Sequence, residues 1–207
     1  MDRQVAAYAD ALTAFITEKE RLRLQHPLRY LFWEATLRCN LECLHCGSDC
    51  KRDDSTASKE LAPSIVCRQL AQIAQRYDPS SITFAIIGGE PLIRADIETV
   101  GRYAADLGFA WGITTNGLLL NQQRLASLKA AGLSTLSVSL DGLEADHDKL
   151  RQRQGAFRQV TAALQRVVSD PFYEAFDVIC CVNTLNIGHL LPFTDFLAGL
   201  GVPRVRF

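Results

Sequence analysis

The sequence has no long apolar run and no excess of charge of either sign. None of its apolar stretches reaches the roughly 18 consecutive residues that a membrane-spanning helix needs, so no membrane span is expected. The net charge is −1, which gives no indication of nucleic acid or an anionic membrane as a partner. The N-terminal segment mixes polar with apolar positions and lacks the continuous apolar stretch of a signal peptide. We therefore expect a cytoplasmic protein.

Cysteine, by contrast, is abundant, with seven residues in a chain of 207. Clustered cysteines in a cytoplasmic protein indicate metal or redox chemistry more often than disulfides. Four of them lie between residues 39 and 50. Buried cysteine usually behaves as a small apolar side chain, and we expect this of the other three, Cys67, Cys180 and Cys181.

Strand-like and helix-like segments alternate along the chain. An amphipathic helix is predicted over residues 4–24, and six strands are predicted at residues 29–36, 81–89, 109–117, 133–142, 175–184 and 202–207. The predicted connecting helices cover residues 59–77, 95–108, 121–132, 155–169 and 189–201. This alternation predicts a parallel α/β sheet, either open and doubly wound or closed into a full or partial (β/α) barrel. In both architectures, functional residues collect at the carboxyl ends of the strands.

The predicted domain organisation is a helical extension over residues 1–27 followed by a core domain over residues 28–207. The last predicted strand reaches Phe207, the final residue of the sequence. Because a domain rarely ends inside a core strand, we expect the sequence to be part of a longer protein.

The first predicted strand leads into a cysteine motif with C-x3-C-x2-C spacing, formed by Cys39, Cys43 and Cys46. Three thiolates on one short loop can bind three irons of a [4Fe–4S] cluster and leave the fourth iron open to another ligand. A structural zinc site is the alternative, although zinc sites favour paired C-x2-C elements. Cys50 adds a fourth thiol to the motif, and the spacing assigns it no role.

The second and third predicted strands end in glycine-containing motifs. Gly88 and Gly89 allow a ligand to approach the backbone closely, and the carboxylate of Glu90 could bind an ammonium group. An ordinary strand-to-helix turn is the alternative. The third strand ends in an Asn116–Gly117 pair, which by itself is typical of a turn.

The fourth predicted strand ends in Ser139 and Asp141, and Arg151 follows after a short interval. A hydroxyl and a carboxylate could hold the hydroxyl groups of a ribose, while the planar guanidinium group could pair with a carboxylate. The alternative is an aspartate that caps a helix and an arginine in solvent.

In this order, the motifs resemble those of the radical SAM superfamily. The resemblance covers residues 29–207 and is greatest to the peptide-modifying and sulfatase-maturating branch, whose members often carry a C-terminal SPASM domain with auxiliary clusters. It implies a partial (β/α)6 barrel. It also implies an enzyme that uses a [4Fe–4S] cluster to cleave S-adenosylmethionine (SAM) to a 5′-deoxyadenosyl radical, which abstracts hydrogen from a peptide or protein.

The resemblance also implies a role for individual residues. Cys39, Cys43 and Cys46 would ligate the cluster, and the other implied positions contact SAM: His45 at the adenine; Gly88, Gly89 and Glu90 at the methionyl ammonium; Ser139 at the ribose with Asp141 or Asn116 nearby; Arg151 at the methionyl carboxylate; Val182 and Asn183 along the adenosyl group. An external flavodoxin or ferredoxin would supply the electron. Two alternatives are a radical SAM enzyme that acts on a small-molecule cofactor precursor and a non-catalytic metal-binding module.

Overall fold

A computed structural model describes residues 3–173 and 175–207. Residues 1 and 2 of the predicted helical extension and residue 174 of the predicted core domain lie outside the described residues. The described chain contains six parallel strands: β1 Tyr30–Glu34, β2 Thr83–Ile87, β3 Ala110–Thr115, β4 Leu133–Ser139, β5 Phe176–Ile179 and β6 Val205–Arg206. Its α-helices are α1 Arg3–Gln25, α2 Pro63–Ala74, α3 Ile97–Asp106, α4 Gln122–Ala130, α5 Glu144–Arg151, α6 Ala156–Val168 and α7 Leu190–Gly199.

The strands lie in the sheet in the same order as in the chain, from β1 to β6. A doubly wound sheet would reverse direction partway, so this order identifies the barrel alternative. In the described residues, β1 and β6 form the two edges and do not pair with each other. The predicted partial (β/α)6 barrel is therefore confirmed.

The two faces of the sheet differ in what covers them. Ile86 in β2 and Val138 in β4 are fully buried in the core, and so is Trp111 in β3, whose indole N–H donates to the Ala131 carbonyl at 3.1 Å. Alternate residues, which point to the opposite face, include partly exposed side chains such as Thr114 and Ser139. The packed face holds the sheet rigid, and the open face is left available to a ligand.

Two helices differ from the prediction. The predicted helix 59–77 begins only at Pro63, because proline disfavours the helical conformation in the residue before it, and residues Asp54–Lys59 form a separate 3-10 helix. Helix α5 was not predicted, since it is short and buries few side chains, among them His147 and Leu150.

The predicted N-terminal helix is present as α1. Its apolar residues Leu12, Phe15 and Ile16 are largely exposed and do not join the core. The boundary between a helical extension and a core domain stays a prediction. Within the described residues, no helix combines the length and apolar character that crossing a membrane requires.

Candidate active site

A cavity of about 260 Å³ lies at the carboxyl ends of the strands. Loops that follow five strands contribute to its wall, as expected for a (β/α) barrel. The predicted residues that line it are Cys39, Cys43, His45, Cys46, Gly88, Gly89, Asn116, Ser139, Asp141 and Arg151. The structure therefore brings together residues that are up to 112 positions apart in the sequence, between Cys39 and Arg151.

The three motif cysteines lie in a loop over residues 37–51, here called the cysteine loop, which backbone hydrogen bonds hold at its base and near its middle. The Cys39 N–H donates to the Lys51 carbonyl at 2.7 Å, and the Lys51 N–H donates to the Leu37 carbonyl at 2.9 Å, which closes the loop at its base. Midway, the Leu44 N–H donates to the Leu150 carbonyl of α5 at 2.8 Å. These backbone bonds position the thiols before any ligand binds.

The first two thiols of the motif each have a side-chain N–H donor close to the sulfur. Burial raises the pKa of the Cys39 thiol, and the Asn116 side-chain amide lies 3.9 Å from its sulfur. Burial also raises the pKa of the Cys43 thiol, although the Arg151 guanidinium, 3.6 Å from this sulfur, opposes the shift. The environment of Cys43 therefore combines low exposure with a compensating positive charge.

The third thiol, Cys46, is exposed and lies in a turn that directs N–H groups at its sulfur. Burial alone would raise its pKa, but hydrogen bonds from the backbone N–H groups of Cys50, Ser48 and Asp49, with the Cys50 thiol, lower it overall. Cys50 also lines the cavity, and burial raises the pKa of its thiol to about 12. The backbone of this turn thus stabilises the thiolate form of Cys46.

This donor set fits an iron–sulfur cluster. Each thiolate of a [4Fe–4S] cluster binds a different iron, so the sulfurs need not converge on one point. Among the described residues, no three His, Cys, Asp or Glu side chains are placed to hold a single metal ion. His45, which lines the same cavity, has a buried Nδ1 atom with no hydrogen-bond partner in the described structure. Buried polar atoms are usually hydrogen-bonded, so this exception is consistent with a partner supplied by a ligand.

Gly88 and Gly89 pack directly against the base of the cysteine loop. The Gly89 N–H donates to the Thr36 carbonyl at 2.8 Å, and the Glu90 N–H donates to the Arg38 carbonyl at 2.9 Å. A Cβ atom on either glycine would overlap the Thr36 or Arg38 carbonyl oxygen. In the structure these glycines let two segments of the polypeptide approach each other closely, and their contact with a methionyl ammonium stays a prediction.

Glu90 lies behind the cavity wall, and it is fully buried. Its carboxylate accepts hydrogen bonds from the Leu92 N–H at 3.0 Å, the Thr115 hydroxyl at 2.8 Å and the Asn116 N–H at 2.7 Å. Burial raises the pKa of Glu90, and these three donors oppose that shift. Glu90 therefore ties the end of β2 to the end of β3, while its contact with a methionyl ammonium stays a prediction.

Asp141 is also fully buried and is paired with Arg151. One carboxylate oxygen lies 2.7 Å from Arg151 Nε, and the other accepts the Cys181 N–H at 3.0 Å. The Asp141 N–H donates to His147 Nδ1 at 3.1 Å. Burial and the nearby Arg151 lower the pKa of His147 to about 4. The contact between Arg151 and a methionyl carboxylate stays a prediction, as does the contact between Asp141 and a ribose.

The end of β5 contains residues whose roles the sequence did not indicate. Asn186 is buried and donates to the Asp141 carbonyl at 2.7 Å and to the Cys181 carbonyl at 2.9 Å, which joins the ends of β4 and β5. Cys180 is buried as predicted, but Cys181 is exposed and lines the cavity, because strand alternation directs adjacent side chains to opposite faces. An asparagine in a loop gives no sequence signal of such a role.

Val182 and Asn183, which follow Cys181, lie beside the cavity rather than in its described wall. Val182 is exposed, and the Asn183 side chain donates to the Cys181 carbonyl at 2.9 Å. Their contact with an adenosyl group stays a prediction.

Comparison with curated proteins gives relatives whose named activities differ. The chain is 38% identical over 174 residues to an AdoMet-dependent heme synthase of Methanosarcina barkeri, covering 84% of this chain and 48% of the relative. It is 30% identical over 182 residues to the mycofactocin maturase MftC of Mycobacterium ulcerans, covering 85% of this chain and 47% of the relative. The chain thus spans about half the length of these relatives.

Solved structures share the fold at lower sequence identity. The protein anSMEcpe with bound AdoMet matches 86% of this chain and 50% of its own, with a TM-score of 0.72 and 18% identity. Streptococcus suis SuiB bound to the precursor peptide SuiA matches 95% of this chain and 43% of its own, with a TM-score of 0.68 and 17% identity. These matches establish the fold.

The family comparison accounts for most of the chain. The model of the radical SAM superfamily matches residues 33–197, a span from β1 to α7 that contains the whole cavity. The resemblance inferred from the cysteine motif and the strand ends is therefore confirmed, and this chain belongs to the radical SAM superfamily.

Proposed function

We propose that this chain is the core of an enzyme that cleaves SAM reductively and uses the resulting radical to abstract hydrogen from a substrate. The observation that carries the proposal is the shared cavity, in which three cysteine thiols from one loop face strand-end residues of the barrel. The superfamily uses a [4Fe–4S] cluster and SAM, and solved structures with the same fold contain bound AdoMet. A module that used its metal only for stability would have no need of such a cavity.

When bound, the cluster and SAM supply the difficult chemistry, in which an electron from an external donor breaks the C5′–S bond to give methionine and a 5′-deoxyadenosyl radical. The protein supplies the ligands and their orientation. Cys39, Cys43 and Cys46 would hold three irons, and the cavity beside them would accept SAM. His45 lies on the cavity wall with an unsatisfied ring nitrogen that a ligand can satisfy.

Two buried carboxylates hold the shape of the cavity. Glu90 fixes the end of β3 against the end of β2, and Asp141 fixes the end of β5 against the end of β4. Because both carboxylates are fully buried and hydrogen-bonded, the strand ends form a rigid wall rather than mobile loops. A rigid wall keeps bound groups in the orientation that a reaction between them requires.

For the substrate, we propose a peptide or protein. The mycofactocin maturase among the relatives supports this class, and so does the fold shared with SuiB, whose structure contains a precursor peptide. The second candidate is a small-molecule cofactor precursor, which the 38% identity to a heme synthase favours. Transfer of deuterium into 5′-deoxyadenosine from a uniformly deuterated peptide, or from a deuterated tetrapyrrole, distinguishes the two.

An anaerobic assay tests the proposed reaction. The protein is reconstituted with iron and sulfide, reduced with dithionite and supplied with SAM, and 5′-deoxyadenosine is measured. We expect product from the wild type and none from Cys43→Ala. The matched control is Cys67→Ala, which removes a thiol from α2, away from the cavity, and should retain both cluster and product. Absence of product from a wild-type protein with an intact cluster would refute the proposal.

A further inference from the structure

Arg151 makes two contacts that link a predicted cluster ligand to a buried carboxylate. Its Nη1 atom donates to Cys43 Sγ at 3.6 Å, and its Nε atom donates to Asp141 at 2.7 Å. The Arg151 side chain is only 11% exposed. The positive charge therefore lies beside the sulfur in a region of low solvent exposure, where water screens it weakly.

The partner of Arg151 is itself fixed from several sides. Asp141 accepts the Cys181 N–H at 3.0 Å with the carboxylate oxygen that Arg151 Nε does not contact. Its backbone N–H donates to His147 Nδ1 at 3.1 Å, and its backbone carbonyl accepts a hydrogen bond from the Asn186 side-chain amide at 2.7 Å. Moving the guanidinium away from Cys43 would leave the Asp141 carboxylate buried without its counter-ion, which is costly. The position of the charge is thus built into the fold.

The hydrogen-bond donors at the other two motif sulfurs are neutral groups. The donor nearest Cys39 is the Asn116 amide at 3.9 Å, and Cys46 receives backbone N–H groups. Arg151, in contrast, brings a full positive charge to Cys43. The three thiolates would therefore lie in unequal electrostatic environments, with a cationic side chain in contact with Cys43.

Reduction of a cluster adds one negative charge to it, so a nearby cation and an N–H···S bond stabilise the reduced state more than the oxidised state. Hydrogen bonds to the sulfurs, net charge and solvent exposure are the terms that set the potential of such clusters. We propose that Arg151 raises the reduction potential of the cluster through its contact with Cys43, while Asp141 holds it there and moderates the effect.

The step concerned is a one-electron reduction in which a low-potential external donor is oxidised and no bond is broken. The inference rests on the proposed function, because it requires a cluster on Cys43. It gives Arg151 a role that does not depend on contact with SAM.

The test is the midpoint potential of the cluster, measured by EPR at controlled potentials without SAM. Iron and sulfide are quantified first, so that variants are compared at equal cluster content. Arg151→Met should lower the midpoint potential by at least about 59 mV, which corresponds to a tenfold change in the equilibrium of a one-electron reduction. Asp141→Asn removes the opposing negative charge and should raise the potential.

The matched control is Arg124→Met, which removes the same charge from an arginine paired with Glu98 at 2.9 Å, outside the cavity wall. It should leave the potential unchanged. If Arg151→Met fails to retain the cluster, two other variants decide. Arg151→Lys keeps the charge, so its midpoint potential should lie within about 59 mV of the wild-type value. Asp141→Asn should raise the midpoint potential.

Equal potentials in wild type and Arg151→Met would overturn the inference, and a loss of SAM affinity alone would assign Arg151 to the methionyl carboxylate instead. A downward or absent shift in Asp141→Asn would also overturn it. A wild-type protein that holds no cluster would overturn the proposed function and this inference together, whereas a wild-type cluster with unresponsive potentials overturns the inference alone.

Discussion

The substitution Glu90→Gln separates two roles for a fully buried carboxylate of the cavity region. Its two oxygens accept three hydrogen bonds, two of them from the backbone N–H groups of Leu92 and Asn116. A glutamine side chain has one oxygen and one NH2 group, and the NH2 group would face a backbone N–H in either orientation. One buried backbone donor therefore loses its acceptor whichever way the amide turns.

The expected cost follows from that count. A buried donor left without a partner costs about 1–3 kcal/mol, so we expect Glu90→Gln to destabilise the protein by about 2 kcal/mol. The assay is urea unfolding of the protein without cluster, followed by circular dichroism. The control is Glu144→Gln, which removes the charge of a half-exposed glutamate paired with an exposed Arg158 and should change stability by less than about 0.5 kcal/mol.

SAM affinity, measured on the reconstituted protein, completes the experiment. If Glu90 acts by fixing the strand ends, the loss of affinity should accompany the loss of stability. A variant as stable as the wild type that no longer binds SAM would refute this reasoning and assign Glu90 to the methionyl ammonium.

Two further predictions concern the backbone and the pH dependence. Gly89→Ala should weaken SAM binding at least tenfold in equilibrium binding measurements, because the added Cβ atom would push the strand end away from the Arg38 carbonyl; Gly188→Ala, whose Cβ would meet nothing within 4 Å, is the control. His147 should contribute a fall of about 3 kcal/mol in the unfolding free energy as pH drops from 6.5 to 4, because the unfolded chain protonates His147 in this range while the folded protein, with a His147 pKa of about 4, largely does not. Urea unfolding at a series of pH values measures this fall, which His147→Gln should remove.

Either prediction has a clear contrary result. Unchanged SAM affinity in Gly89→Ala would mean that the strand end moves without consequence for the ligand. A pH dependence retained in full by His147→Gln would assign the titration to another group, and His45, whose pKa burial also lowers, would be the first to examine.

The order of elements in this fold was predictable because each strand and helix carries its own periodic pattern. The choice between a doubly wound sheet and a barrel was not, since both satisfy the same alternation of elements. Helix α5 escaped prediction because it is short and mostly polar, so that its pattern is weak. Its contribution is tertiary, through the Leu150 carbonyl that holds the cysteine loop.

The composition of the cavity was predictable from motifs, but the partners of its charged groups were not. Glu90 and Arg151 were read as groups that meet a ligand, whereas in the structure each is bound within the protein, to Asn116 and to Asp141. The spacing of motifs predicts which residues lie at strand ends, but it does not predict the direction or the hydrogen-bond partner of a carboxylate side chain. The contact between Arg151 and Cys43, across 108 positions, has no local signal at all.

The central claim is that Cys39, Cys43 and Cys46 hold a [4Fe–4S] cluster with one iron open to SAM. The most direct measurement is the EPR spectrum of the anaerobically reduced protein with and without SAM, for the wild type and for Cys50→Ala. We predict a reduced [4Fe–4S] signal that changes when SAM is added, in both proteins. A signal that SAM leaves unaltered, or a cluster lost on removal of Cys50, would contradict the claim that three cysteines alone hold the cluster and leave an iron open.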